Sequence, residues 1–166
     1  MERRHTLTRA GALLAIVAVS ACPAPARHDE QRAAVGDTAA AHRLCFDYTY
    51  GERGLARDSS AARRWCGVGA RNGEASSQTL YAQAFEAGWG TPRNLDSAAY
   101  WYGRAAAQGH AHAQFVLGLL YLRAVVPIPS VGAAESLLRA SSAQGYDPPK
   151  KYLRMIDSAR AAQAGM

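Results

Sequence analysis

The chain has 166 residues, 49% of them apolar, with 19 Lys and Arg against 13 Asp and Glu and a formal net charge of +6. That length suits one domain and that apolar content suits a packed core, which excludes a chain disordered throughout. The basic excess does not point to nucleic acid: a leader carrying Arg3, Arg4, Arg9 and Glu2 is expected to be removed, which lowers the charge to +4, and the remaining arginines are scattered rather than gathered in a stripe.

Three arginines in residues 1–9 precede a run from Ala10 to Ala21 that is aliphatic apart from Gly11 and Ser20. The run is shorter than the roughly 20 residues of a membrane-spanning helix and has the form of a secretory signal peptide, residues 1–21. Val19-Ser20-Ala21-Cys22 at its end resembles the bacterial lipobox, which implies lipidation of Cys22 and tethering of the exported chain to a membrane. Ordinary cleavage after Ala24-Pro25-Ala26, leaving a soluble secreted or periplasmic protein, is the alternative. Pro23 rather than Asp follows the cysteine, and in the lipoproteins this resembles that favours the periplasmic face of the outer membrane. Residues 22–37 are rich in Pro, Ala and charge without an apolar period and read as a flexible tether.

From there on the chain repeats itself every 36 residues: Ala62, Ala98 and Ala134 share one slot, Trp65, Trp101 and Leu137 a second, Gly73, Gly109 and Gly145 a third, and Ala70, Ala106 and Ser142 a fourth. A period between about 20 and 50 residues marks a solenoid, whose units bury their apolar faces against one another. In the middle unit the pattern predicts a helix over Ala75 to Ala87, a turn through Gly88-Trp89-Gly90-Thr91-Pro92-Arg93, and a second helix from Asn94 to Gln108. Asn94 supplies the N-cap and Gly109 the left-handed stop; Asp58 and Ser130 are the caps of the neighbouring units. Ala98, Trp101, Ala105 and Ala106 form one apolar stripe, small residues allowing close approach and the indole filling the remaining gap. After Gly145, Asp147-Pro148 reads as cap and first helical residue of a terminal helix whose Tyr152, Ile156 and Ala159 cover the last hairpin, with Lys150, Lys151, Arg154 and Arg160 in solvent.

Three cysteines are odd for an exported chain, but acylation of Cys22 leaves Cys45 and Cys66, one on each helix of the first hairpin. A disulfide there adds on the order of 3 kcal/mol to a unit with a single neighbour; two buried thiols are the alternative.

Ala111-x-Ala113, Leu117-Gly118-x-x-Tyr121 and Ala134-x-x-Leu137 ending at Gly145, beside Gly88-x-Gly90, Ala98-x-x-Trp101 and Ala105-Ala106-x-x-Gly109, resemble the Sel-one-like repeat, a relative of the tetratricopeptide repeat. The resemblance runs over residues 39–146, and 38–146 are taken as three repeats followed by a capping helix and tail over 147–166. It implies an all-α fold, a right-handed α-solenoid of three helix hairpins plus a C-terminal capping helix, whose inner groove binds a protein or peptide of the envelope. No cofactor and no metal is expected, and the end faces of so short an array leave room for self-association.

Some cysteine-rich members of that family have been linked to penicillin-type lactams, so an envelope enzyme or ligand-binder acting on a lactam or cell-wall fragment is the runner-up. The chain has no S-x-x-K, since Asp147 and Pro148 stand three before Lys150 and Lys151, and no H-E-x-x-H or G-x-S-x-G. His110 and His112 are two apart, not the four that places metal ligands on one helix face, and read as exposed hinge histidines. A non-catalytic scaffold is therefore the expected function. Gln78, Gln83 and Glu86 of the middle unit and Gln114 of the third, on the first helices, are the expected partner-binding residues. Trp89, Tyr100 and Tyr102 are further candidate anchors.

Overall fold

Every regular element among the residues described by the computed structural model, 24–123 and 131–164, is a helix. In chain order they are α1 (Ala24–Ala34), α2 (Thr38–Tyr50), α3 (Ser59–Arg71), α4 (Ala75–Ala87), α5 (Leu95–Ala107), α6 (Ala111–Leu122), α7 (Val131–Ala143) and α8 (Pro149–Ala164). The pairs α2/α3, α4/α5 and α6/α7 form hairpins, and each hairpin packs on the next through α3 on α4 and α5 on α6. This is an all-α solenoid. Cys22 with the leader, and the 124–130 turn with its Ser130 cap, lie outside the described residues.

The helix boundaries follow from local chemistry. Asp37 accepts from the Ala40 amide at 2.9 Å, Asp58 from Ser60 and Ala61, and Asn94 from Ser97, so side chains satisfy first-turn donors that the helix itself leaves open. Gly73, Gly109 and Gly145 hold φ of +91°, +85° and +80°, the left-handed conformation that turns the chain from one hairpin into the next.

Packing explains the repeated slots. Ala62, Ala98 and Ala134 are buried at the hairpin contacts, and Trp65 is buried while Trp101 and Leu137 are half-buried. Gly69 marks the closest approach: a Cβ there would lie 2.4 Å from Ser77 Oγ, so α3 and α4 could not keep their separation with any larger residue. Two apolar clusters, one around Leu44, Cys45 and Cys66 and one around Tyr102, Ala105 and Leu117, share Phe85 and Trp101 as partly buried neighbours. Full burial of Leu44 or Leu138 contributes about 1.5–3 kcal/mol each.

A second recurrence binds one hairpin to the next through amides. Gln78 is fully buried, its Nε2 donating to the Ala70 carbonyl at 3.1 Å and its Oε1 accepting from Gln108 Nε2 at 2.8 Å. One unit later Gln114 donates to Ala106 at 3.2 Å and accepts from Gln144 at 2.9 Å. Gln78 and Gln114, expected to face a partner, are thus turned inward, where each satisfies a carbonyl at the end of the preceding helix.

The ends also depart from expectation. Residues 24–34, placed in a flexible tether, form α1 and pack on α2. Their contact is made by small and charged groups: Ala26 and Ala33 are buried, and Asp29 receives Arg43 Nη2 at 2.6 Å and Arg53 Nη1 at 2.9 Å. Arg53 also pairs with Asp47. At the other end α8 begins at Pro149 rather than Pro148, and Pro149 with Tyr152 and Ile156 covers α7 while Ala159 is exposed. Arg160 does not simply face water: it meets Glu135 of α7 at 2.7 Å, and Arg139 meets the same carboxylate at 2.6 Å. Cys45 and Cys66 are joined by a disulfide across the first hairpin, their Cα atoms 4.6 Å apart.

Candidate functional site: the inner trough

Helices α2 and α4 touch directly whereas α3 and α5 barely meet except through α4, so the first helix of each hairpin lies on the inside of the curve. Between them runs an open trough of about 420 Å³, lined among others by His42, Phe46, Tyr50, Thr79, Gln83 and His112. Phe46 and Tyr50, one helical turn apart with ring centroids at 4.6 Å, form an exposed aromatic step on α2. Towards α8, His112 meets Tyr146, and Phe115 lies tilted with ring centroids 5.5 Å and 5.8 Å from Tyr146 and Tyr152. Lys150, Lys151 and Arg154 border that end.

Three histidines stand along the trough in different electrostatic settings. His42 Nδ1 lies 3.2 Å from Glu74 Oε2 and 3.2 Å from Ser77 Oγ, and the Glu74 contact raises its pKa. Burial works to raise the Glu74 carboxyl, but His42, Ser77 and the amides of Ser77 and Ser76 outweigh it and hold it well below the usual range. His110 and His112 are lowered, both by burial first. His112 Nε2 lies 3.0 Å from Gln83 Nε2 and its Nδ1 2.8 Å from the Tyr146 hydroxyl. Gln83 donates, so His112 Nε2 accepts and Nδ1 carries the proton toward Tyr146, the neutral ring that burial favours. His110 caps α6 by accepting from the Ala113 amide at 3.4 Å and lies 3.2 Å from Thr79 Oγ1. Expected as exposed hinge residues, His110 and His112 are half-buried connectors between units.

The serine, histidine and carboxylate near His42 are not wired for nucleophilic attack. A relay needs the hydroxyl on one ring nitrogen and the carboxylate on the other. Here Glu74 and Ser77 share Nδ1, and Ser77 is fully buried. Among the described residues no group of three His, Cys, Asp or Glu could hold a metal ion.

Of the expected partner-binding residues, Gln83 alone lines the trough, since Gln78 and Gln114 are buried and Glu86 is occupied by the Tyr102 hydroxyl at 2.7 Å. Tyr102 is itself fully buried, and burial followed by the Glu86 carboxylate raises its pKa, so it is no surface anchor. Trp89 and Tyr100 are exposed, away from the trough lining. Sequence reasoning missed His42, Phe46 and Tyr50. The available signal was that Phe46 breaks its own 36-residue slot, shared with Ala82 and Gly118, by placing a large ring where the fold needs none.

Stacked helix hairpins with an aromatic inner face define a helical-repeat protein. Within that class the Sel1 repeat profile matches residues 38–74, 75–110 and 111–146, and the chain belongs to the Sel1 repeat family. Among solved structures it is similar to a Sel1 repeat protein from Oxalobacter formigenes, with 28% identity and a TM-score of 0.68, covering 77% of this chain and 96% of that one. It is also similar in fold to a protective antigen of uropathogenic Escherichia coli strains, at 23% identity and a TM-score of 0.73, covering 77% of this chain and 27% of the antigen. No curated protein matches the chain.

Proposed function

We propose that the chain is a non-catalytic protein-interaction scaffold whose inner trough takes an extended segment of an envelope protein. The observation that carries this reading is the trough lining itself: neighbouring, exposed aromatic rings for apolar side chains, with Gln83 and the histidines among them for backbone and polar groups. Interaction by stacked repeats is the general role of this family. A photo-crosslinking residue placed at Phe46 or Gln83 is expected to capture a protein in intact cells, while the same residue at exposed Asp96 on α5 is not. Equal capture at the three positions, or none at Phe46 and Gln83, overturns the reading.

The same proposal puts the chain at the periplasmic face of the outer membrane, held by acylated Cys22. What supports it is the lipobox-like Val19-Ser20-Ala21-Cys22 and the basic, then apolar, leader. Because α1 begins at Ala24, an anchor at Cys22 would join the solenoid through almost no slack, fixing how the trough stands over the lipid. Intact-mass analysis of the mature amino terminus tests this, and an unmodified Cys22 in the medium defeats it.

A further inference from the structure

The outer side of α3 carries three arginines that the repeat does not require. Arg63, Arg64 and Arg71 line an open groove of about 530 Å³ together with Tyr81 and, at its lip, Asp58, Ser60 and Ala61. In the 36-residue register Arg63 corresponds to Ala99 and Glu135, Arg64 to Tyr100 and Ser136, and Arg71 to Ala107 and Ala143, so neither later unit repeats the cluster. Elsewhere acidic side chains such as Asp29, Asp47 and Glu135 neutralise arginines, yet among the described residues none pairs with these three. Arg63 Nε is shut off from water without an acceptor. Asp58 adds a negative charge at the lip, but its Oδ1 is committed to the amides of Ser60 and Ala61 at 2.9 Å and 3.0 Å.

Packing presents the guanidinium groups as a surface. Arg64 Cζ lies 4.7 Å over the Trp65 ring. Gly67 leaves α3 bare where Arg71 and Tyr81 close in: a Cβ there would lie 3.2 Å from Arg71 Nη1 and 3.3 Å from the Tyr81 ring. Arg64 and Arg71 are two helical turns apart, about 10 Å along the axis. An extended strand covers about that distance in three residues. Carboxylates are met by arginine through paired N–H donors. No two of the chain's own 13 Asp and Glu stand three apart in sequence, so it carries no acidic segment of that spacing.

We propose that this groove docks an extended acidic segment of another protein, with one carboxylate at Arg64 and a second, three residues on, at Arg71. It shares no lining residue with the trough and stands independently of the function assigned there. The test is fluorescence anisotropy on the full chain with a labelled Gly-Asp-Leu-Ser-Asp-Gly peptide, its Asn-for-Asp analogue, and an isomer with the two Asp adjacent. Binding is expected to prefer the first peptide and to weaken about tenfold in Arg64→Gln/Arg71→Gln, while Arg27→Gln/Arg123→Gln, which removes the same charge from exposed positions on α1 and just after α6, changes it less than about twofold. Circular dichroism melts confirm that the variants fold. No measurable binding of the first peptide, equal binding of the Asn analogue, or equal loss in both double variants overturns the proposal. So does a result in which Arg64→Gln/Arg71→Gln loses binding to phosphatidylglycerol vesicles while peptide binding is unchanged, since the groove would then serve a lipid surface.

Discussion

At the amino end of the solenoid a nearly buried carboxylate, Asp29, is clasped by two arginines above a hairpin that is already crossed by a disulfide, whereas at the carboxyl end Glu135 pairs with arginines that are 57% and 62% exposed. Both ends face the same problem, a unit with one neighbour instead of two. The first solves it covalently and pairs its buried carboxylate with arginines 40% and 38% exposed; the second lays α8 over α7 through Pro149, Tyr152 and Ile156 and pairs a comparably buried Glu135 with arginines that reach further into solvent. Charges near bulk water contribute little, so the amino end should be the firmer of the two.

Removing the disulfide is the strongest way to break that contrast. The bond closes a separation of 21 residues, and Cys45→Ala/Cys66→Ala is expected to lose roughly 3 kcal/mol in a urea melt. A variant that melts with the parent would show that packing alone holds the first hairpin. Next in size is Asp29→Ala, which strands Arg43 and leaves Arg53 to Asp47 alone; because both arginines are partly exposed, the expected loss is about 1–2 kcal/mol. Amide exchange in α1 should accelerate well before that in α4, and uniform acceleration would count against a separately docked end. Gln78→Leu, in the middle of the array, removes the side-chain bonds to the Ala70 carbonyl and from the Gln108 amide, which keep the Gly73 N–H and the Arg104 carbonyl as partners, for about 1 kcal/mol.

Acid sharpens the comparison further. Hydrogen bonds first from Arg160 and then from Arg139 hold the Glu135 carboxyl at about 2, against 4.5 for a free glutamate, and Asp29 is lowered by Arg43 first. A group depressed in the folded state stabilises fully above its unfolded pKa and loses that contribution as pH falls through its folded one. The stabilisation from Glu135 is therefore whole above about 4.5 and gone below about 2, and Glu135→Gln and Asp29→Asn should each flatten the acid limb of a stability curve. The smallest effect is spectroscopic: imidazole resonances should show His42 titrating above 6.5 and His110 and His112 below it. A common midpoint for the three would contradict the settings described for the trough.

Much of this fold was legible in the sequence because its strongest constraints are steric and recur. Ala98 must be small where two helices cross, and Gly109 must accept a left-handed backbone, so each leaves the same residue type at the same interval. What stayed hidden had other causes. Helix α1 buries Ala26, Ala33 and an ion-paired Asp29 instead of a large apolar stripe, which removes the periodic signal on which helices are recognised. Gln78 and Gln114 looked like surface residues because they are polar. Their exact recurrence argued otherwise, since a side chain facing only solvent has no reason to return in register. Phe46 and Tyr50 went unnoticed for the opposite reason: rings exposed along the trough are free of the repeat, and a search for regularity passes over them.

The glutamines carry a consequence for the evolution of length. Residues 75–110 contain both Gln78 and Gln108, and they end in the Ala106 carbonyl that the following Gln114 seeks. The opening unit, which follows α1 rather than another repeat, has His42 and Asn72 at the corresponding places. The middle stretch is thus a cassette whose couplings are the same fore and aft, and a tandem duplication of it would splice into the array with every amide already provided for.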